Sequence, residues 1–209
     1  MNWTIPGTTL EGLRSNADHV EELFQPMFLS GGLTLSQVSH ITGLENHTIQ
    51  NWVKRGFLPP PQNKRYNMEQ LCRIININLL KGNMPLEQIV KLMAYLNGDL
   101  ADESDDLVDD TMLYFMFVSL AARARHLGGN QTWDEALEQI TAGYVEPVAG
   151  AREKLCKVLK IMLTTWIANL VKAAADRMME EYKEEMLCLV CLISFFPSCS
   201  LRCLAWQSE

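Results

Sequence analysis

Signatures of catalysis are missing from these 209 residues. There is no glycine-rich phosphate loop, no nucleophile elbow, no His-Glu-x-x-His and no carboxylate pair in a catalytic context. The four histidines, His19, His40, His47 and His126, are scattered. His40 and His47 lie seven apart with no Cys or acid constellation joining them, so surface or base contacts account for them better than a metal does. The acids between 102 and 110 lack the spacing of a calcium loop. Cysteine is sparse over most of the chain, with only Cys72 and Cys156 before residue 188. That excludes a disulfide framework and predicts reduced thiols, these two as small buried apolar groups. The start, MNWTIPGTTL, has no basic segment and no apolar core, so it is not a signal peptide. The expectation is a cytoplasmic protein that is not an enzyme and holds no cofactor or metal.

A surplus of positive charge is also missing, because the net charge is −7. Its distribution matters more than its sum. Residues 46–81 carry six Lys/Arg (54, 55, 64, 65, 73, 81) against one acid, Glu69, for a local +5. The surplus acid lies mostly later, in a block made by Asp102, Glu103, Asp105, Asp106, Asp109 and Asp110. A basic patch on an acidic protein is still an electrostatic footprint for nucleic acid. Length and a hydrophobic content of 48% allow one or two domains with a sizeable core.

The most informative stretch is Leu33 to Tyr66, LTLSQVSHITGLENHTIQNWVKRGFLPPPQNKRY. Ser36 suits a helix N-cap, and Val38 and Ile41 share one face. Gly43 stops that helix, since glycine enters the left-handed region without a Cβ penalty. Asn46 is the expected cap of a second helix, whose buried side is Ile49, Trp52 and Val53. His47, Gln50, Asn51 and Lys54 fall on its outer side. Gly56 and then Pro59, Pro60 and Pro61 end it. The spacing predicts a helix-turn-helix.

Lys54-Arg55-Gly56-Phe57-Leu58-Pro59, then Lys64-Arg65-Tyr66 and a helix from Met68 to Leu80, resembles the winged helix-turn-helix of the MerR family. Gly82 and Met84-Pro85-Leu86-Glu87-Gln88-Ile89 resemble the start of that family's next helix. This resemblance covers about residues 33–96. A second resemblance, reaching to about residue 180, is to an uncharacterised bacterial MerR-like family, the domain of unknown function 1836. Gln50 and Asn51 stand where MerR proteins usually carry Arg and Tyr, and the wing is short. Fewer cations mean fewer phosphate contacts and a shallower salt dependence.

Around this stretch, residues 1–16 read as irregular, and Asn16 or Asp18 could cap a helix bearing Val20, Leu23 and Phe24. Asn67 caps the helix to Lys81, with Leu71, Ile74, Ile75, Asn78 and Leu79 as a stripe. Pro85 opens a helix ending at Asn97-Gly98. Asp106 or Asp109 suits the N-terminus of the apolar helix Met112–Leu127. Thr132 begins a capping-box-like start of a short helix to Ala142, and Pro147 opens a long one to about Glu185. The last residues hold Cys188, Cys191, Cys199 and Cys203 in a nearly all-apolar context without the turn residues of a zinc knuckle. Met186–Trp206 has bilayer length, but Pro197, three serines and Arg202 interrupt it, and an Arg in hydrocarbon costs about 2.5 kcal/mol or more. An atypical, peripheral tail without stable membrane insertion fits better.

The fold expectation is all-α with a small wing: a MerR-like winged helix-turn-helix domain over 1–98, an acidic linker 99–110, a helical domain 111–185 for dimerisation or interaction, and a Cys-rich apolar tail 186–209. The functional expectation is sequence-specific binding of double-stranded DNA by a homodimeric transcriptional regulator. His47, Gln50 and Asn51 are candidates for base contacts, Gln and Asn being able to pair with adenine. Thr48, Lys54, Arg55, Lys64, Arg65 and Tyr66 are candidates for the DNA backbone, Tyr66 either through a phosphate hydrogen bond or by simply packing the wing. Val38, Ile41, Ile49, Trp52 and Val53 form the motif's core. The alternatives are a helical interaction adaptor that has lost DNA binding, and a DNA-bending accessory factor of the excisionase kind.

Overall fold

The computed structural model describes residues 2–98, 106–124 and 133–195, with side chains up to residue 183. The expectations for Asp102, Glu103, Asp105, the end of the apolar helix beyond 124, Thr132, and Cys199 and Cys203 fall outside the described residues. The chain is mostly helical. It divides into two compact units, residues 1–168 and 169–209.

The first unit opens with a two-stranded antiparallel hairpin, β1 (Asn2–Thr4) and β2 (Glu11–Leu13), where the sequence reads as irregular. Its register pairs Trp3 with Gly12, and Ile5 N–H donates to Leu10 O at 2.8 Å. Trp3 and Ile5 are buried, so this segment is core. A 3₁₀ turn (Arg14–His19), the short helix α1 (Glu21–Phe24) and a second 3₁₀ turn (Gln25–Phe28) follow. Neither Asn16 nor Asp18 caps α1: its N-cap is Val20, with no side-chain hydrogen bond. Leu23 is exposed and Phe24 is buried.

Helix α2 (Leu35–Thr42) begins two residues earlier than Ser36 suggests. Thr34 and Gln37 form a capping box, in which each side chain takes the other's backbone N–H. Gly43, at φ 68°, turns the chain into α3 (Asn46–Lys54). The N-cap of α3 is Glu45 rather than Asn46, and it makes no side-chain cap. Helix α4 (Met68–Leu80) carries the expected Asn67 cap, completed by Gln70. Helix α5 (Leu86–Asn97) has Pro85 at its N-cap, and α6 (Asp110–Ala124) has its Met112 N–H taken by Asp109 Oδ1 at 2.7 Å. Helix α7 (Trp133–Ile140) is short. Helix α8 runs unbroken from Ala151 to Phe195, starting after Gly150 rather than at Pro147 and passing Glu185 without a stop.

Helix α4 is buried nearly all round. Its apolar residues pack the centre, and its polar ones hold neighbouring segments by their backbone. Gln70 Nε2 donates to Pro59 O and Pro60 O at 3.3 and 3.0 Å. Arg73 Nε donates to Phe57 O at 3.1 Å. Asn78 Nδ2 reaches Gly7 O at 3.1 Å and Thr42 O at 3.0 Å. Gly7 has φ 75°, and a Cβ there would lie 2.7 Å from Ile75 Cγ2, so only glycine lets the N-terminal loop come this close.

The link from α4 to α6 is ionic. Arg73 Nη1 sits 2.8 Å from Asp110 Oδ2, with the side chains 7% and 3% exposed. Asn76 Nδ2 also donates to Asp110 O and Oδ1, at 3.2 and 3.3 Å. Burial pushes the Asp110 carboxyl upward and the Arg73 guanidinium pulls it back. So Asp110 is a core residue and not part of a solvated acidic linker. With α4 packed on α6, the expected division at 99–110 falls inside one compact unit, and the boundary lies instead after Ala168.

Helix α6 joins the remaining parts of the first unit. Tyr114 donates to Pro6 O at 3.0 Å and Ser119 to Ala17 O at 3.3 Å. Phe24 meets Tyr114 edge-on at 5.9 Å, and Phe117 meets Trp166 edge-on at 6.0 Å. Leu155, Val158, Leu159, Met162 and Leu163 of α8 are buried. Among the described residues one helix, over 151–183, is long and apolar enough to cross a membrane. In the second unit its side chains Val171, Met178, Met179 and Tyr182 are exposed.

Removing one partner of a buried ion pair leaves the other charge without compensation, which costs about 3–5 kcal/mol. Urea denaturation of Asp110→Ala and Arg73→Ala is expected to show losses of that order. The pair Arg73→Met with Asp110→Leu is expected to lose less than the two single changes added together, because no charge is then stranded. Additive losses would show that the pair is not coupled.

Candidate nucleic-acid interface

The two faces of α3 separate cleanly. Ile49 and Trp52 are buried, with Val38, Ile41 and Leu44 of the preceding helix and turn in the same core. Val53, expected in this core, is half-buried. His47, Gln50, Asn51 and Lys54 are exposed, and Thr48 is half-buried. Successive helical residues turn by about 100°, so Asn51 and Trp52 point different ways. The end of α3 is held by Gly56, at φ 74°, whose N–H donates to Val53 O at 3.1 Å.

The segment beyond α3 turns back in a tight loop. Leu33 and Tyr66 exchange both backbone hydrogen bonds, at 2.9 and 2.8 Å. Gln62 and Arg65 are bridged across a two-residue turn, with Arg65 N–H on Gln62 O at 2.8 Å. The turn residues Asn63 and Lys64 both have positive φ, 49° and 62°. This is the geometry of a hairpin turn in which both central residues are left-handed. Asn suits it; Lys, with a full side chain at its Cβ, is strained there. Gly32 completes the base: at φ 103°, a Cβ would lie 2.8 Å from Tyr66 O.

Three of the candidate backbone-contact residues and one further cation of the basic stretch are used within the fold. Tyr66 is buried, and burial pushes its hydroxyl pKa up, so it packs the base of the loop and does not face solvent. Arg55 Nη2 lies 2.6 Å from Glu87 Oε1 of α5, and its guanidinium stacks 4.5 Å over the Phe57 ring. Arg65 is exposed but gives Nη1 to Gly32 O at 2.8 Å. Arg73 is spent inside the core on Asp110. Lys54 and Lys64 are exposed. The local +5 therefore overstates the charge on offer at the surface. Nothing in the sequence marks Glu87 as the partner of Arg55, since 32 residues separate them.

No group of three metal-binding side chains occurs among the described residues. Cys72 is buried and its thiol is driven far up by desolvation, while Cys156 is only half-buried.

Residues 18–117 match the model of a family described as a domain of unknown function, DUF1836. That span runs from the 3₁₀ turn into α6 and so includes the Arg73–Asp110 pair. The chain is also 24% identical over 156 residues to the uncharacterized protein YkrK of Bacillus subtilis (strain 168), across 69% of this chain and 67% of that protein. No solved structure matches. The family match agrees with the resemblance to the domain of unknown function, although it ends at residue 117 and not near residue 180, and neither similarity carries a description of activity.

The strain at Lys64 makes a separable prediction about stability. A left-handed non-glycine residue costs about 1–2 kcal/mol. Lys64→Gly removes that cost and also loosens the unfolded chain, so a net gain of up to about 1 kcal/mol is expected in urea denaturation. A loss of stability would mean that the Lys64 side chain is held by contacts that outweigh the strain.

Proposed function

We propose that this protein binds double-stranded DNA sequence-specifically, as a cytoplasmic, homodimeric transcriptional regulator and not as an enzyme. In this reading residues 33–66 are a MerR-like winged helix-turn-helix, α3 is the helix that enters the major groove, and the loop at 62–65 is the wing. One observation carries the proposal: α3 buries Ile49 and Trp52 and exposes an unbroken polar row, His47, Gln50, Asn51 and Lys54. Gln50 and Asn51 are the candidates to read adenine through paired donor and acceptor groups. Lys54, Lys64 and Arg65 are the candidates to hold phosphates, with Thr48 beside them. Homodimerisation is supported by the apolar side chains Val171, Met178, Met179 and Tyr182, which are exposed on the second unit's helix.

A second reading is favoured by Arg55 and Arg73, the two cations bound internally to Glu87 and Asp110. With so few free cations, the same fold could serve as a protein-interaction adaptor. A fluorescence titration against random duplex at low salt separates the two, because non-specific DNA binding rests on phosphate contacts.

Three outcomes are expected. Lys64→Ala with Arg65→Ala should weaken binding to all duplexes alike and reduce the log–log salt slope by about 2. An unchanged slope would remove the wing from the backbone. Asn51→Ala should leave the melting temperature nearly unchanged and cost about 1–3 kcal/mol of discrimination at one base pair. If it binds specific and scrambled duplex as the parent does, α3 does not read bases through this residue. Sedimentation equilibrium at micromolar concentration should show a dimer; a lone 23.7 kDa species would sink that part of the proposal.

A further inference from the structure

Helix α6 is buried on all sides but one. Apart from its last residue, the side chains it leaves accessible are Thr111, Met112, Phe115, Met116 and Arg123. Their spacing places them on a single face. Two hollows of about 510 and 540 Å³ adjoin along that face, and Asp109, Met112 and Met116 line both. The first is walled by Asp18 of the 3₁₀ turn, Glu21 of α1 and Ile140 of α7. The second reaches the segment 143–147, where Val145 is 86% exposed. Both belong to the first unit.

The floor of this face is apolar and its rim is acidic. Met112 is 41% exposed, Phe115, Met116 and Ile140 are half-buried, and the Phe24 ring backs Phe115 at 5.8 Å. Methionine is flexible and polarisable, so a surface built from it adapts to different apolar side chains. Among the described residues the cation lining the first hollow is Arg123, and it is paired with Asp18 at 2.7 Å. Glu21 and Asp109 are exposed and accept from neutral donors, the Gln25 amide at 2.9 Å and the Met112 N–H at 2.7 Å. Their negative charge is therefore not offset within the hollow. No described Lys or Arg lines the second hollow.

We propose that this face of α6 docks an amphipathic helix of a partner protein, one that carries apolar side chains on one side and Lys or Arg at its margins. Apolar anchors enter between Met112, Phe115 and Met116, and the cations meet Glu21 and Asp109 across the rim. Charge complementarity selects this occupant over a second copy of the chain. The chain's own exposed apolar helix, 169–183, has Lys172, Arg177 and Lys183 against Asp176, Glu180 and Glu181, so it brings no surplus of cations. A face this open would also leave much of a small molecule in water, whereas small-molecule sites bury most of their ligand. The proposal stands on α6 and its neighbours and does not depend on DNA binding.

The test is an NMR titration of the full chain, isotope-labelled at its methionine methyls, with a synthetic amphipathic helix of leucine and lysine. Two control peptides keep the pattern, one with glutamate for lysine and one with serine for leucine. The Met112 and Met116 signals, assigned by replacing each with Leu, are expected to shift with one peptide per chain. Both controls are expected to bind at least about tenfold more weakly, the factor that about 1.4 kcal/mol represents. Met112→Gln, read at Met116, and Glu21→Gln with Asp109→Asn should each weaken the leucine–lysine peptide by about tenfold, with circular dichroism confirming the fold. The charge variant keeps the acceptors for Gln25 and the Met112 N–H, so it remains informative if Met112→Gln fails to fold. Equal binding of the three peptides would overturn the proposal. So would an affinity unchanged in the charge variant, or shifts at Met178 and Met179 in place of Met112 and Met116. Met112 and Met116 signals that move with protein concentration alone would assign the face to a second copy, and that too would overturn it. The titration contains no DNA, so failure here leaves the DNA reading untouched and the reverse also holds.

Discussion

The buried pairing of Arg73 with Asp110 is the constraint on which the first unit depends. Taking both charges out of water is costly, and further hydrogen bonds on each side of the pair offset part of that cost. Arg73 gives its Nε to Phe57 O, and Asn76 gives its amide to Asp110. Asp110 is also the first residue of α6, where a carboxylate suits the positive end of the helix. One interaction thus sets the start of α6, its distance from α4 and the path of the chain leaving α3. It also explains why α4 carries polar residues inward. A helix with Gln70, Arg73, Asn76 and Asn78 could have been a surface helix with one apolar stripe. Here those side chains hold backbone carbonyls of separate segments, and the loops around the core keep few choices of conformation.

The same economy shapes the candidate interface. Of the cations in the basic stretch, the arginines are largely used in structure: Arg73 in the core, Arg55 on Glu87 and Phe57, Arg65 on Gly32 O. The planar guanidinium serves these roles because it makes several directed hydrogen bonds at once. The lysines are left exposed: Lys54 on α3, Lys64 at the tip of a strained turn and Lys81 just after α4. Strain at an exposed tip buys nothing for the core, and residues held in rare backbone regions tend to gather at working sites. The exposed row on α3 and the strained tip are parts of the molecule whose chemistry the fold itself leaves unused.

Much of this was legible in the chain. The mostly helical character, the turn at Gly43, the Asn67 cap, and the burial of Ile49 and Trp52 opposite Asn51 and Lys54 follow from local rules of periodicity and capping. These depend on residues within a turn or two of each other, and a sequence shows them directly. Boundaries were less legible. Thr34 competed with Ser36 for the cap and won because Gln37 stands three residues on to complete the box. The N-terminal hairpin is not legible because its strands are three residues each, too short for alternation to show, and Pro6 and Gly7 read as breakers.

Tertiary structure alone decided which charges are free. Arg73 and Asp110 are 37 residues apart, and Arg55 and Glu87 are 32 apart, so no periodicity links them. In the sequence Asp110 closes an acidic run and reads as solvated; in the fold it is buried against a cation. Tyr66 reads in the sequence either as a hydroxyl for phosphate or as packing for the wing, and burial in the fold decides for packing at the base of the loop. The sequence by itself determined the local conformations, because those arise from each residue's own backbone and near neighbours. Which polar groups are spent within the fold and which remain for a partner depends on burial, and burial is a property of distant segments meeting in space.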